Sequence, residues 1–226
     1  MNPLHLLILA CAVFVASHFL LSHPLRAAVV GAVGEKPFQG VYSLVALASF
    51  VWIYFAFRAV PASVPLWPGF DDISWAIASL LTLAAIVLLA GSFAGNPALP
   101  APGAEAAALR EPKGVFLVTR HPMMWSIGLW ALAHAIAAPT GRTLVVASAM
   151  ALLALVGAHV QDRKKEGQMG AAWAEWEAKT SYWPRLERMF SVGWRWWAIG
   201  AALWLGFTYG HIHAGEWAAG LWRWID

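Results

Sequence analysis

Long apolar runs separated by short polar connections constrain this chain more than any other feature. Six of them, about residues 4–22, 41–59, 73–94, 122–138, 143–160 and 194–212, approach or exceed the length of a helix crossing a hydrocarbon core roughly 30 Å thick. Composition agrees. Of the 226 residues 60% are hydrophobic and only 12% charged, with mean hydropathy +0.61, where a soluble domain carries about 25% charged residues. The expected fold is all-α: a polytopic membrane helical bundle of about six transmembrane helices, built as a single domain over 1–226. The first run is expected to stay as a span, because MNPLH lacks a basic leader region and no small-residue cleavage site follows it.

Lys and Arg are unevenly divided between the connections. Arg58, Arg142 and Arg223 lie on one side of the six-span scheme, and the other twelve of the fifteen lie on the opposite side, from Arg26 to Arg195. The positive-inside rule then puts those twelve in the cytoplasm of a bacterial inner membrane and both termini in the periplasm. The pI near 9.2 reflects this distribution, so membrane lipid, and no nucleic acid, is the expected partner. Trp194, Trp196 and Trp197 flank one end of the last span and Trp217, Trp222 and Trp224 the other, the pattern of an aromatic belt. Between 163 and 180, Met169, Trp173 and Trp176 recur at i, i+4 and i+7, the stripe of an amphipathic helix lying in the interface. AEAAALRE, within 95–118, is expected to form a short helix between proline breaks, and Asp71-Asp72 to cap the helix after the proline-rich 61–72 loop. That loop and the AEAAALRE connection are expected to tolerate substitution better than Met123, Ile127, Trp130 and His134, which share one helical stripe.

No Asp, Glu, Lys or Arg falls in the middle of a span, which argues against ion-coupled transport and paired-carboxylate catalysis inside the membrane. The lone cysteine, Cys11, excludes an intramolecular disulfide, a zinc cysteine cluster and the Cys-x-x-Cys-His attachment of a c-type haem. Histidine remains. His5, His211 and His213 lie near one set of span ends and His23 and His159 near the other, where interfacial solvation accounts for them. His121 precedes Pro122 and suits the N-cap of the fourth span, with proline at N1. His18 and His134 are deeper, about 12 Å from Arg26 and about 21 Å from Arg120 along their helices. A buried ring needs a partner inside the protein. Two readings stand side by side. Each ring bonds a nearby hydroxyl or carbonyl, Ser22 or Ser126 for example, or both bind the iron of a tilted haem, which takes neutral imidazole. In the second, Arg26 and Arg120 pair with the propionates, while Cys11, Phe14 and Ser22 face Ile127 and Trp130 across the macrocycle.

The stretches GVFLVTRHPMMWSIGLWALAH and GAHVQDRKKEGQMGAAWAEWEAKTSYWP closely resemble the NnrU family, which is similar to the 15-cis-zeta-carotene isomerases of plants and cyanobacteria. SHFLLSHPLRAAVVGAVGEKPFQGVYSLVALASF looks like the family's first hairpin, so the resemblance covers most of residues 14–190. It implies a multispan membrane protein and, in the isomerase branch, a b-type haem held by two histidines. His134, thirteen residues beyond the Arg-His-Pro histidine, matches one ligand. His18 matches the other if a one-residue length difference near Arg26 is allowed, with His23 as the fallback. The expected cofactor site is therefore His18 and His134 on the iron, with Arg26, Arg120, His121 and Trp130 around the haem b.

The NnrU branch is associated with nitrite and nitric oxide reduction in denitrifying bacteria, so a denitrification-linked or redox-sensing haem protein is the expected function. The isomerase branch implies an alternative, haem-dependent cis–trans isomerisation of an apolar polyene. A third resemblance, to isoprenylcysteine-type membrane methyltransferases, rests on Arg-His-Pro and a downstream Trp-x-x-Trp…Trp-Pro. It breaks at QDRKKEG, where that family carries adjacent glutamates and this chain has Asp162-Arg163 and only Glu166.

Overall fold

Each long apolar run begins at a residue suited to start a helix. Asn2 accepts the Leu4 N–H at 2.9 Å and Pro3 opens α1 (Pro3–Ser22), where its missing N–H costs no bond. After the short α2 (Arg26–Val33), Gly34 at φ 87° turns the chain into α3 (Glu35–Ala59), a conformation that suits glycine. Asp71 caps α4 (Asp72–Gly91) by accepting the Ile73 and Ser74 N–H groups. AEAAALRE supplies the five-residue α5 (Ala104–Ala108). Pro122 starts α6 (Pro122–Ala137), Thr140 caps α7 (Gly141–Met169), and Gly170 separates it from α8 (Ala171–Lys179). The last long helix is α9 (Trp194–Gly215).

The computed structural model describes residues 1–100, 102–215 and 218–225, which contain no strand. The fold is an all-α membrane helical bundle. Helices α1, α3, α4 and α7 are long and apolar enough to cross a membrane, and α6 is a shorter apolar helix. At 29 residues α7 is about 43 Å long, so its last turns stand beyond a roughly 30 Å hydrocarbon core. Residues 163–169, expected to start a separate interfacial helix, are therefore the end of α7. The rest of that segment is helical, but Trp173 and Trp176 of α8 are buried against Phe116 and Met189. Its apolar stripe packs on the protein.

Neighbours in space run α3, α1, α7, α6, α4, α9. At the end opposite most of the Lys and Arg, Arg58 of α3 donates to the Ala214 carbonyl of α9 at 3.2 Å, joining the two outermost helices. The 61–72 loop is pinned there too, Leu66 and Phe70 donating their N–H groups to Pro139 and Ala137 carbonyls at 2.9 Å each. It is less free than its prolines suggest. One apolar cluster joins α1, α3 and α7 through Leu7, Cys11, Phe14, Ile53 and Met150, and Ile127 and Trp130 of α6 pack against it. Leu44, Leu47 and Phe55 of α3 remain exposed, the surface that acyl chains cover. Of the expected belt, Trp194 and Trp224 are exposed, whereas Trp197 and Trp222 donate their indole N–H to Met189 and Leu205 carbonyls. Trp217 lies outside the described residues.

Candidate functional site

The basic end holds a buried polar network that begins with Arg-His-Pro. A single 3-10 turn, Gly114–Leu117, leads into it. Thr119 Oγ1 donates to the Ser181 and Tyr182 carbonyls at 3.1 and 2.8 Å, and Arg120 N–H donates to the Ser181 carbonyl at 2.8 Å. The segment before α6 is thereby tied to the chain after α8. Arg120 then grips Asp162 of α7 with Nε at 3.1 Å from both carboxylate oxygens and Nη2 at 2.7 Å, and reaches Glu177 of α8 at 3.0 Å. Its guanidinium lies 5.5 Å from the centre of the Tyr182 ring.

His121 occupies the N-cap position of α6, but its side chain does not cap the helix. It turns to Asp162 instead, Nε2 lying 2.8 Å from Oδ1. A carboxylate accepts, so Nε2 carries the hydrogen. The ring is wholly buried, and its Nδ1 has no hydrogen-bond partner among the described residues. Burial lifts the Glu177 carboxyl above its ordinary value, against the pull of Arg120, and also raises the Tyr182 phenol, helped by the Asp162 charge. Arg120, Asp162, Glu177, Tyr182 and exposed His159 border a cavity of about 400 Å³. The network clamps α6, α7 and α8 together. Asp162, Glu177 and Tyr182 were not among the expected site residues, although Asp162 stands where the methyltransferase pattern breaks.

The two deep histidines follow one local rule. His18 Nδ1 donates to the Phe14 carbonyl at 2.7 Å, and His134 Nδ1 donates to the Trp130 carbonyl at 2.8 Å, each four residues back on its own helix. Neither ring uses Ser22 or Ser126. A carbonyl only accepts, so Nδ1 carries the hydrogen and Nε2 keeps its lone pair. The His18 ring lies 4.3 Å from Phe14, tilted against it, and meets Tyr42 edge-on at 5.5 Å. The His134 ring lies 4.1 Å from Trp130, tilted against it, with His211 of α9 at 6.1 Å. Phe14 and Trp130 belong to, or pack on, the same apolar cluster, so the histidines flank it from two sides. Their rings do not meet.

Arg26 pairs with Glu35 at 2.6 Å, and Arg120 with Asp162 and Glu177, so both arginines expected at the propionates already hold carboxylates. His23 ends α1 at its C-cap, five residues beyond His18. Among the described residues no group of three or more His, Cys, Asp or Glu side chains could hold a metal ion. Donor chemistry does fit a haem iron, since each deep imidazole is oriented by a backbone carbonyl and keeps Nε2 for a metal.

A family model described as NnrU protein matches residues 6–217. No curated protein and no solved structure matches the chain.

Proposed function

The chain belongs to the NnrU family, and from that premise we propose that it is a membrane-embedded b-type haem protein of nitrogen-oxide metabolism, with His18 and His134 as iron ligands through Nε2. The observation that carries this reading is the paired Nδ1 donation to Phe14 and Trp130 carbonyls. It fixes both tautomers, holds both rings and leaves both Nε2 lone pairs for a metal. The bound group supplies one-electron redox chemistry. The protein's part is to hold both imidazoles through their Nδ1–H groups in an apolar setting, with the Phe14 and Trp130 rings beside them. The setting proposed is a bacterial inner membrane, crossed several times, with the basic end in the cytoplasm and both termini in the periplasm.

An absorption spectrum of detergent-purified protein from haem-replete cells tests the reading. Soret and alpha bands of a six-coordinate b-type haem are expected. His134→Ala and His18→Ala should each lose haem or leave it five-coordinate, while exposed His213→Ala changes nothing. If His23→Ala abolishes the spectrum and His18→Ala does not, the first ligand is His23. Colourless, correctly folded protein would falsify the haem assignment.

A further inference from the structure

A second cavity opens at the basic end, between the first hairpin and the last turns of α7. It holds about 480 Å³ and is lined by Arg26 and Glu35 of the hairpin, by Lys164, Lys165 and Gln168 of α7, and by Pro100 of the connection after α4. That volume is in the range small ligands occupy. Gln161 donates to the Ala98 carbonyl at 3.3 Å and fixes the connection as one wall. Three cations and one carboxylate face the space, and that carboxylate, Glu35, is already bonded to Arg26 at 2.6 Å.

Lys165 sets this cavity apart from an ordinary basic surface. The residue is only 6% exposed, yet its ammonium makes no hydrogen bond or ion pair with any described residue. Topology accounts for a lysine at this end of the bundle, but not for one whose packed side chain brings an ammonium to a cavity without a counter-charge. Lys164, beside it, also forms no hydrogen bond or ion pair among the described residues.

We propose that this cavity binds the dianion of a phosphate monoester, with the Lys165 and Lys164 ammonium groups as its principal ligands and Arg26 at its edge. Three cations less one carboxylate leave two positive charges, which such a dianion matches and a carboxylate ligand does not. Its source is a phosphate-headed membrane lipid or a soluble phosphate ester. The assignment depends on no part of the haem reading.

Thermal unfolding of the full-length protein in neutral detergent tests it, titrated separately with dioctanoyl phosphatidic acid, inorganic phosphate and dioctanoyl phosphatidylcholine. A saturable rise in Tm is expected with phosphatidic acid and none with phosphatidylcholine. Lys165→Met should raise the midpoint concentration roughly tenfold or more. Without ligand that variant should be about as stable as the parent, because Met keeps the packed apolar stem and no ion pair is lost. Lys164→Gln should weaken binding in the same direction, and serves as the test if Lys165→Met does not fold. Saturation by phosphatidic acid alone assigns the lipid, and saturation by inorganic phosphate as well assigns a site open to soluble esters. No saturable shift with either, or parental midpoints in both variants, overturns the proposal.

Discussion

Replacing Asp162 by Ala would leave Arg120 with Glu177 alone and the buried His121 Nε2–H without an acceptor. The Asp162 and Arg120 side chains are only 6% and 13% exposed. Removing one partner of so buried a pair costs about 3–5 kcal/mol. Unfolding in detergent should show a loss of that order, against about 1 kcal/mol or less for Glu177→Gln, whose side chain is 27% exposed. Equal effects of the two substitutions would mean that Asp162 is not the centre of the clamp. Arg-His-Pro was legible as a landmark, but its partner was not. Asp162 lies on another helix, and spacing along the chain does not say which carboxylate packs beside which cation. The placing of His121 at the N-cap was right in position, but Asp162 draws the side chain away from the helix end. For His18 and His134 the helical period was enough to put a carbonyl four residues back within reach. What it could not supply was the occupant of Nε2.

Helix α4 carries its own acid sensitivity at its N-cap. Ser74, through its hydroxyl and then its N–H, holds the Asp71 carboxyl below its ordinary value. The cap's contribution is therefore complete above the unfolded value and is lost as pH falls through the depressed folded one. Asp71→Asn should flatten the acid limb of a Tm–pH profile, and Ser74→Ala should move it to higher pH; identical limbs in all three proteins would dismiss the cap. Close packing sets a second constraint. A Cβ on Gly200 of α9 would meet Val87 Cα of α4 at 3.0 Å, whereas one on Gly157 of α7 would meet nothing within 4 Å. Gly200→Ala should cost about 1–3 kcal/mol by forcing the helices apart. Gly157→Ala should gain up to about 1 kcal/mol from helix propensity, and detergent unfolding of the pair decides it. Helix starts were readable because Asp71 and Pro122 act within one turn. The orientation of Trp173 and Trp176 was not, because Phe116 and Met189 arrive over them from distant segments.

Taken together, the helices predict a topology that their packing does not by itself reveal. With twelve of fifteen Lys and Arg at one end, fusions at the C-terminus should activate a periplasmic reporter, and fusions in the 180–190 region a cytoplasmic one. Cytoplasmic activity at the C-terminus would break the six-span scheme. The long helices themselves were close to fully legible, although only α1, α3, α4 and α7 are long and apolar enough to cross a membrane. Their neighbours were not, because helices apolar on every side give periodicity little to report. The order α3, α1, α7, α6, α4, α9 departs from chain order, and that has a consequence for biosynthesis. Translation delivers α1 first, but the α7 surface it packs against emerges only after α3, α4 and α6 have been made. Helices inserted early associate later, within the bilayer. Until α7 arrives, the face carrying Ala10, Cys11 and Phe14 has only α3 and lipid to touch.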